Sequence, residues 1–123
     1  KAESRVFEVP ATASEFGRLI LEELVRGPEN ELLPTIPENT KVSGFYVGED
    51  KTGYADFSGE ITRNHPGGTA AELLTIYSIV NSLTLNVDGI EKVKILIDGR
   101  EASTLAGHVD LRTPFEPDKM FIR

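Results

Sequence analysis

The hydrophobic pattern is most regular over residues 69–86, where apolar residues recur at helical spacing. No charged residue occurs from Leu73 to Val87, which is typical of a helix that the rest of the protein largely encloses. Thr69 can cap the first turn, and Glu72, three residues later, can reach back to the amide of the cap. We therefore predict a long apolar helix that begins at Thr69 and ends near Asn86.

The apolar period shortens from that of a helix to that of a strand after the turn signal Asp88-Gly89. Apolar residues alternate with others over residues 92–97 (KVKILI), so this segment is predicted as a strand with one apolar face. Asp98-Gly99 is a tight-turn signal, and residues 101–105 can return as the second arm of a hairpin. The helix and this strand form the predicted centre of the protein.

The upstream half has the same two periods in the order strand, helix, strand, strand. Arg5–Val9 is a predicted short strand, and a helix follows from the capping residue Thr12 to the stop signal at Gly27. Residues 41–47 and 53–58 are two strands joined by a polar turn, which indicates a hairpin. The whole pattern predicts an α+β fold, a small sheet with two helices packed on one face, in strand–helix–strand–strand–helix–strand order.

The periodicity also assigns the inward-facing side chains. In the hairpin, the best inward candidates are Phe45, Val47, Ala55 and Phe57. The side chains that we expect to be buried together in one core are Phe16, Ile20, Leu24, Phe57, Leu74, Tyr77, Val93, Ile95 and Ile97.

Several segments of the chain match the sequence motifs of a known family, in the same order and at similar spacing. The matching segments are Val-Pro-Ala-Thr at 9–12, residues 24–28 (LVRGP), 53–58 (GYADFS), 79–84 (IVNSLT), 89–100 (GIEKVKILIDGR) and 104–111 (TLAGHVDL). In these segments the chain resembles the GerM domain, a small module of bacterial cell-envelope and sporulation or spore-germination proteins. The family begins with a further strand before the Val-Pro-Ala-Thr segment. We therefore expect residues 1–123 to be a single GerM-like domain, and whether the family's first strand is present stays open.

The resemblance also implies a function. It implies kinship with ring-building modules of bacterial secretion and sporulation assemblies, which use the same strand and helix order. It further implies a non-catalytic protein-interaction and assembly module outside the cytoplasmic membrane, often behind a lipid anchor as in lipoproteins, with other envelope proteins as partners. Neither an enzymatic activity nor a cofactor follows from the resemblance.

Composition restricts the partners and the compartment. A chain of 123 residues is long enough for one core, and it contains no cysteine, so neither disulfides nor thiolate metal sites are available. The net charge is −7, which disfavours nucleic acid and direct docking to an anionic membrane surface. The chain begins at Lys1, so we expect any targeting segment or lipid anchor to lie upstream.

The candidate catalytic and metal-binding groups are two histidines. His65 lies in a loop without a serine or aspartate at a meaningful spacing, and we expect a local hydrogen bond rather than a general base. His108 is expected to tie the last strand to its loop by a hydrogen bond. A zinc site from both histidines and a carboxylate, and a hydrolase site built on either histidine, are alternatives with little support in the spacing. We predict no catalytic residue, no metal and no cofactor.

A binding module for a small ligand or a cell-wall glycan is the alternative function. The loop residues Arg63, Asn64 and His65 precede a helix N-terminus, and Tyr46 and Tyr54 are candidate stacking rings. Exposed tyrosines would favour this alternative, and buried tyrosines would exclude it.

For the assembly function, the predicted interaction surface comprises the outer residues of both helices and one face of the sheet. An acidic helix face against a basic strand face gives a modest, salt-sensitive contact, so we expect this chain alone to be a monomer. The residues predicted for the surface are Glu22, Glu23, Arg26, Glu72, Thr75, Ser82, Lys92 and Lys94.

Overall fold

The computed structural model describes residues 12–27 and 36–118, and the predicted strand Arg5–Val9 lies outside them. The elements in chain order are α1 (Ala13–Arg26), β1 (Val42–Val47), β2 (Thr52–Phe57), α2 (Glu60–Arg63), α3 (Thr69–Asn86), β3 (Lys92–Ile97) and β4 (Arg100–Glu101). None of the helices in these described ranges is long and apolar enough to cross a membrane.

The described strands form one mixed sheet in the order β1-β2-β3-β4. β1 and β2 are the predicted antiparallel hairpin, and β3 pairs with β4 in a second one. β2 and β3 run parallel, so the chain between them crosses over through α2 and α3. Helix α1 packs against β1 and α3, and α3 also packs against β3. The α+β fold with helices on a small sheet is confirmed.

Helix α1 begins and ends at the predicted signals. Its cap is Thr12, whose Oγ1 accepts a hydrogen bond from the amide of Glu15 at 3.1 Å, and it ends at Gly27 with φ +86°. Leu21 is fully buried, but Phe16 is 39% exposed, so the prediction that Phe16 lies in the core is wrong. Phe16 precedes Gly17, and it is Gly17 that faces the sheet.

A single aromatic ring separates α1 from the sheet. The ring of Phe45 lies against the bare backbone of Gly17 in α1 and of Gly53 in β2. A Cβ on Gly53 would lie 2.7 Å from Phe45 Cζ, and a Cβ on Gly17 would overlap the same ring. The two glycines therefore form the slot in which Phe45 is buried, and they set how closely α1 approaches the strands.

Helix α3 is largely enclosed by the rest of the protein. Ile76, Ile79 and Leu83 are fully enclosed. Leu74 is 38% exposed, which contradicts its predicted place in the core. Leu74 lies two residues before Ile76, roughly 200° around a helix of ~3.6 residues per turn, so it points away from the sheet. The prediction that the uncharged run from Leu73 to Val87 is largely enclosed is confirmed, and its exposed residues are Leu74, Leu85 and Asn86.

Most of the remaining core predictions hold. Phe57, Val93 and Ile95 are fully buried, as are Ala55 and, nearly so, Phe45, whereas Ile20, Leu24, Tyr77 and Ile97 are partly buried and pack against the core. Val47 is exposed, because it ends β1 at an edge of the sheet, so its inward assignment is wrong.

Arg18 of α1 binds the backbone of β1 at a β-bulge. The register of β1 shifts between Val42 and Gly44, so Ser43 is an extra residue in the strand. The guanidinium of Arg18 donates to the carbonyl oxygens of Val42 at 3.2 Å and Ser43 at 3.4 Å, and it also binds Glu22 at 3.0 Å. Helix α1 is thus tied to the edge strand by side-chain bonds as well as by packing.

Two segments differ in detail from their predictions. The predicted loop at 59–68 contains the short helix α2, and the predicted arm at 101–105 pairs with β3 only over Arg100–Glu101. The turn between β3 and β4 is as predicted. Asp98 and Gly99 both have positive φ, +53° and +77°, which is the conformation of a two-residue hairpin turn that matches the twist of its strands.

Candidate functional site

Glu72 is the most enclosed charged side chain of the described residues, with 0% of its surface exposed. It lies in the first turn of α3, and its carboxylate faces the loop that follows β4. Oε1 accepts backbone N–H groups from Ala106 (3.2 Å), His108 (3.2 Å) and Val109 (2.9 Å). Oε2 lies 2.8 Å from Nδ1 of His108. Four donors thus converge on one buried carboxylate.

The same contacts determine the charge of Glu72. Burial alone would raise the pKa of this carboxyl, but the hydrogen bonds from Val109, His108 and Ala106 outweigh it and lower the pKa below its ordinary value of 4.5. Glu72 is therefore ionised at neutral pH. Its negative charge also lies at the N-terminus of α3, where the helix dipole favours an anion.

Glu72 does not have the role predicted for it at the helix start. The cap of α3 is Gly68, with φ +96° and no side-chain hydrogen bond, and Thr69 is the first helical residue. The predicted capping box of Thr69 and Glu72 is therefore wrong. The carboxylate binds the 106–109 backbone instead of the cap amide, and Gly107 with φ +106° allows that loop to curl around it.

His108 also has a different partner from the predicted one. Its Nδ1 donates to Glu72, so the ring joins the loop to helix α3 rather than to the last strand. The amide of Gly68 lies 3.3 Å from the same Nδ1. One nitrogen cannot donate to a carboxylate and accept from an amide at once, so the shorter contact with Glu72 is the hydrogen bond.

His65 is held locally, as predicted. Its Nδ1 accepts from the amide of Gly67 at 2.9 Å, and its Nε2 lies 2.8 Å from Oγ1 of Thr75, which itself donates to the carbonyl of Ala71. Burial lowers the pKa of His65, and the nearby charge of Glu72 opposes this in part. The neutral ring with its proton on Nε2 satisfies both contacts.

The residues predicted for an outer interaction surface divide into two groups. The prediction is wrong for Glu72, Thr75 and Lys94, because all three are buried. Nζ of Lys94 donates to the carbonyl oxygens of Leu111 (3.1 Å) and Arg112, which lie over the outer face of β3. The residues that remain accessible are Glu22, Glu23 and Arg26 on α1, Ser82 on α3 and Lys92 on β3.

The loop residues of the glycan alternative do not form one site. Arg63 pairs with Glu60 beside an open cleft of about 700 Å³ between α2 and the β3–β4 turn. The side-chain amide of Asn64 donates to the carbonyl of Glu38 at 2.7 Å, and His65 faces α3. Among residues 12–27 and 36–118, no three histidine or carboxylate side chains are grouped as metal ligands, so the zinc alternative has no support there.

The sequence missed the Glu72 site, although one signal was present. Glu72 is the only charged residue between Thr69 and Val87. A single carboxylate within a helix that is otherwise enclosed is expected to have buried partners. Those partners lie 34 to 37 residues further along the chain, so they could not be assigned from spacing.

Comparisons with known proteins give a family match and structural neighbours. The family profile described as "Germane: Sporulation and spore germination" matches residues 1–103. None of the curated proteins is significantly similar to the chain in sequence.

Three solved structures share the fold. A Clostridium perfringens protein classed as a lipoprotein is 25% identical, with a TM-score of 0.76 over 85% of this chain and 68% of that chain. The first GerMN domain of the sporulation protein GerM from Bacillus subtilis is 26% identical, with a TM-score of 0.66 over 92% of this chain and 85% of that chain. The tandem GerMN domains of the same protein are 22% identical, with a TM-score of 0.63 over 94% of this chain, which spans 40% of that longer chain.

Proposed function

Because this chain belongs to the Germane family of sporulation and spore germination proteins, we propose that it is a non-catalytic assembly module of the bacterial cell envelope. The similarity to a protein classed as a lipoprotein supports a position outside the cytoplasmic membrane, with a lipid anchor upstream of this domain. Its partners are other envelope proteins, and a role in sporulation or germination is supported by the family.

The observation that carries the non-catalytic assignment is the use of the buried polar groups. Glu72 accepts three backbone amides, Lys94 donates to two carbonyls, and both ring nitrogens of His65 have partners. A catalytic acid, base or nucleophile must have an atom available to the substrate. These side chains are occupied in holding loops to the sheet and to α3, which is the role of a scaffold.

The accessible faces of the two long helices offer different contacts to a partner. On α1, Glu23 pairs with Arg26 at 3.2 Å, so this face presents charges of both signs. On α3, Leu74 and Leu85 are exposed, Leu85 by 64%, and no charged residue lies between them. Of the two lysines on the strand face, only Lys92 is accessible, because Lys94 is buried. We therefore assign the partner contact to the helices rather than to the basic strand face.

A photo-crosslinking experiment in the envelope tests this assignment. The full-length protein would carry a photoreactive amino acid at position 23 or 85, on the helices, or at position 51 as the control, since Lys51 is exposed in the β1–β2 turn and lies on neither helix. Crosslinks to a defined envelope protein from position 23 or 85, but not from 51, are expected. Crosslinks from position 51 alone, or from none of the three, would contradict the proposal.

The oligomeric state of the isolated chain is a separate proposal. Surface ion pairs contribute little to affinity. The exposed large apolar side chains of the two long helices, Phe16, Leu19, Leu74 and Leu85, are a small area compared with the ~1,600 Å² of a stable interface. We expect a monomer by light scattering at both low and high salt. A stable oligomer that resists salt and is lost in Leu85→Ser would show instead that α3 is a self-association surface.

A further inference from the structure

Two tyrosines are cross-strand partners on the sheet face that is turned away from the helices. Tyr46 in β1 is the direct cross-strand partner of Tyr54 in β2. Their sequence neighbours Phe45 and Gly53 point toward α1. Side chains alternate between the faces of a strand, so both tyrosine rings lie on the outer face. We call this pair the tyrosine floor.

The tyrosine rings lie close to the strand backbone, because nearby glycines have no side chains to displace them. A Cβ on Gly44 would be 2.7 Å from Cζ of Tyr46, so the phenol of Tyr46 covers the bare backbone two residues earlier in its own strand. A Cβ on Gly48 would lie 3.0 Å from a ring carbon of Tyr54. Tyr46 remains 53% exposed in this arrangement. The two rings therefore lean in opposite directions along the hairpin, and Tyr54 is partly buried. The tyrosine floor offers a ligand two separate, flat-lying rings rather than projecting side chains.

A polar wall borders the tyrosine floor. Lys94 is the register partner of Tyr54 on the next strand, about 5 Å away in a sheet. Because Lys94 binds the carbonyl of Arg112, the 110–112 turn lies over the strand beside Tyr54. Arg112 and Asp110 form two parallel hydrogen bonds there, each 3.0 Å long, and both side chains are exposed. Arg112 lowers the pKa of Asp110 to about 2, so this pair stays charged.

We propose that the tyrosine floor binds a neutral oligosaccharide, with the Asp110–Arg112 pair as its hydrogen-bonding wall. One face of a pyranose ring carries mainly C–H groups, whose partial positive charge suits the negative face of an aromatic ring. The edge of the sugar carries hydroxyl groups, which suit a planar pair with free donor and acceptor positions. The surface joins these two chemistries across three neighbouring strands, because the floor lies on β1 and β2 and the wall lies over β3.

Other ligand classes fit this surface less well. A stacked nucleic acid or an acidic polymer would be repelled by a chain with net charge −7. A protein partner needs a larger apolar centre than two tyrosines, and the register neighbours on this face are Gly44 and the buried Asp56. The site therefore goes beyond the proposed assembly role, since it uses the face opposite the helices.

The test is an NMR titration of the full chain, labelled with ¹⁵N, with two neutral probes, triacetylchitotriose and cellotriose. We expect saturable shifts of the amides of residues 44–46 and 54 with at least one probe. Tyr46→Ala should weaken that binding by about tenfold or more, whereas Tyr46→Phe, which keeps the ring, should preserve it. Phe16→Ala is the matched control, because Phe16 is an exposed aromatic residue on the helix side.

Thermal unfolding of each variant separates binding from folding. Tyr46 lies on an edge strand and is exposed, so Tyr46→Ala is expected to fold. Absence of saturable shifts with both probes would overturn the proposal. Shifts that survive Tyr46→Ala in a folded protein, or that Phe16→Ala removes equally, would also overturn it.

Discussion

Glu72 and His108, 36 residues apart in the chain, are joined twice. Oε2 of Glu72 accepts from Nδ1 of the His108 ring at 2.8 Å, and Oε1 accepts from the His108 backbone amide at 3.2 Å. Because the two bonds use different oxygens of one rigid carboxylate, they fix both the ring and the backbone of His108. The first turn of α3 and the 106–109 loop are therefore held as one unit.

Replacing Glu72 by glutamine should destabilise the protein by about 2–4 kcal/mol. The amide side chain removes the charge and places an NH₂ group where one of the carboxylate oxygens now accepts, so buried donors lose their acceptor. Urea unfolding followed by circular dichroism measures the change. Glu23→Gln is the control, since Glu23 is exposed and its loss should stay within roughly 0.5 kcal/mol. Equal effects of the two substitutions would contradict the structural role of Glu72.

Stability should fall in acid through the protonation of Glu72. Its pKa is lower in the folded protein than the ordinary value of 4.5, so the unfolded chain takes up the proton first. The contribution is fully present above about pH 4.5 and is lost as the pH falls through the folded pKa. The urea midpoint measured from pH 7 to 3 should therefore drop less steeply in Glu72→Gln than in the native protein. Parallel curves would refute this assignment.

The effect of His65 on stability begins at a higher pH than that of Glu72. Burial lowers its pKa below 6.5 in the folded protein, so the neutral ring is favoured on folding. Its contribution is present above about pH 6.5 and is lost as the pH falls from there toward the folded pKa. His65→Gln should flatten the stability profile just below pH 6.5, as measured by the urea midpoint.

Gly17→Ala should destabilise the protein, although alanine is normally the better residue in a helix by about 0.5–1 kcal/mol. The added methyl group overlaps the ring of Phe45, and that ring has Gly53 on its other side and cannot retreat. Overpacking of this kind costs roughly 1–3 kcal/mol. The thermal midpoint should fall, and the double variant Gly17→Ala with Phe45→Leu should recover part of the loss. A raised midpoint in Gly17→Ala would disprove the close contact.

Two positions of α3 should respond differently to the loss of their side chains. Ile76→Ala should cost about 2–5 kcal/mol because Ile76 is fully enclosed. Leu74→Ala should cost less than about 1 kcal/mol, because Leu74 is 38% exposed and alanine is a strong helix former. Chemical denaturation of both variants measures the difference. A cost at Leu74 equal to that at Ile76 would mean that the outer side of α3 is covered in solution.

The sequence predicted the elements well where one local signal was sufficient. Thr12 and Gly27 delimit α1 as expected, and Asp98-Gly99 forms the expected two-residue turn, because caps and turns depend on residues close in the chain. The hairpin of β1 and β2 follows for the same reason.

The candidate site could not be predicted in the same way, because its partners are distant in sequence. Alternation places Lys94 on the outer face of β3, and it does lie there, but Leu111 and Arg112 cross over it and bury it. Likewise the first turn of α3 gives no sign that the 106–109 backbone lies against Glu72. Local patterns assign a face to a residue, and only the tertiary fold decides whether that face is covered.

The loop held by Glu72 also affects where this domain can be shortened. The family match ends at residue 103, but Leu105 and Leu111 beyond it are fully buried. Further on, the backbone of Asp118 makes two 3.0 Å hydrogen bonds with the side chain of Asn81 in α3. A recombinant fragment that ended at the family boundary would therefore lack two core leucines and leave the carboxylate of Glu72 without its donors. The packed structure extends at least to residue 118.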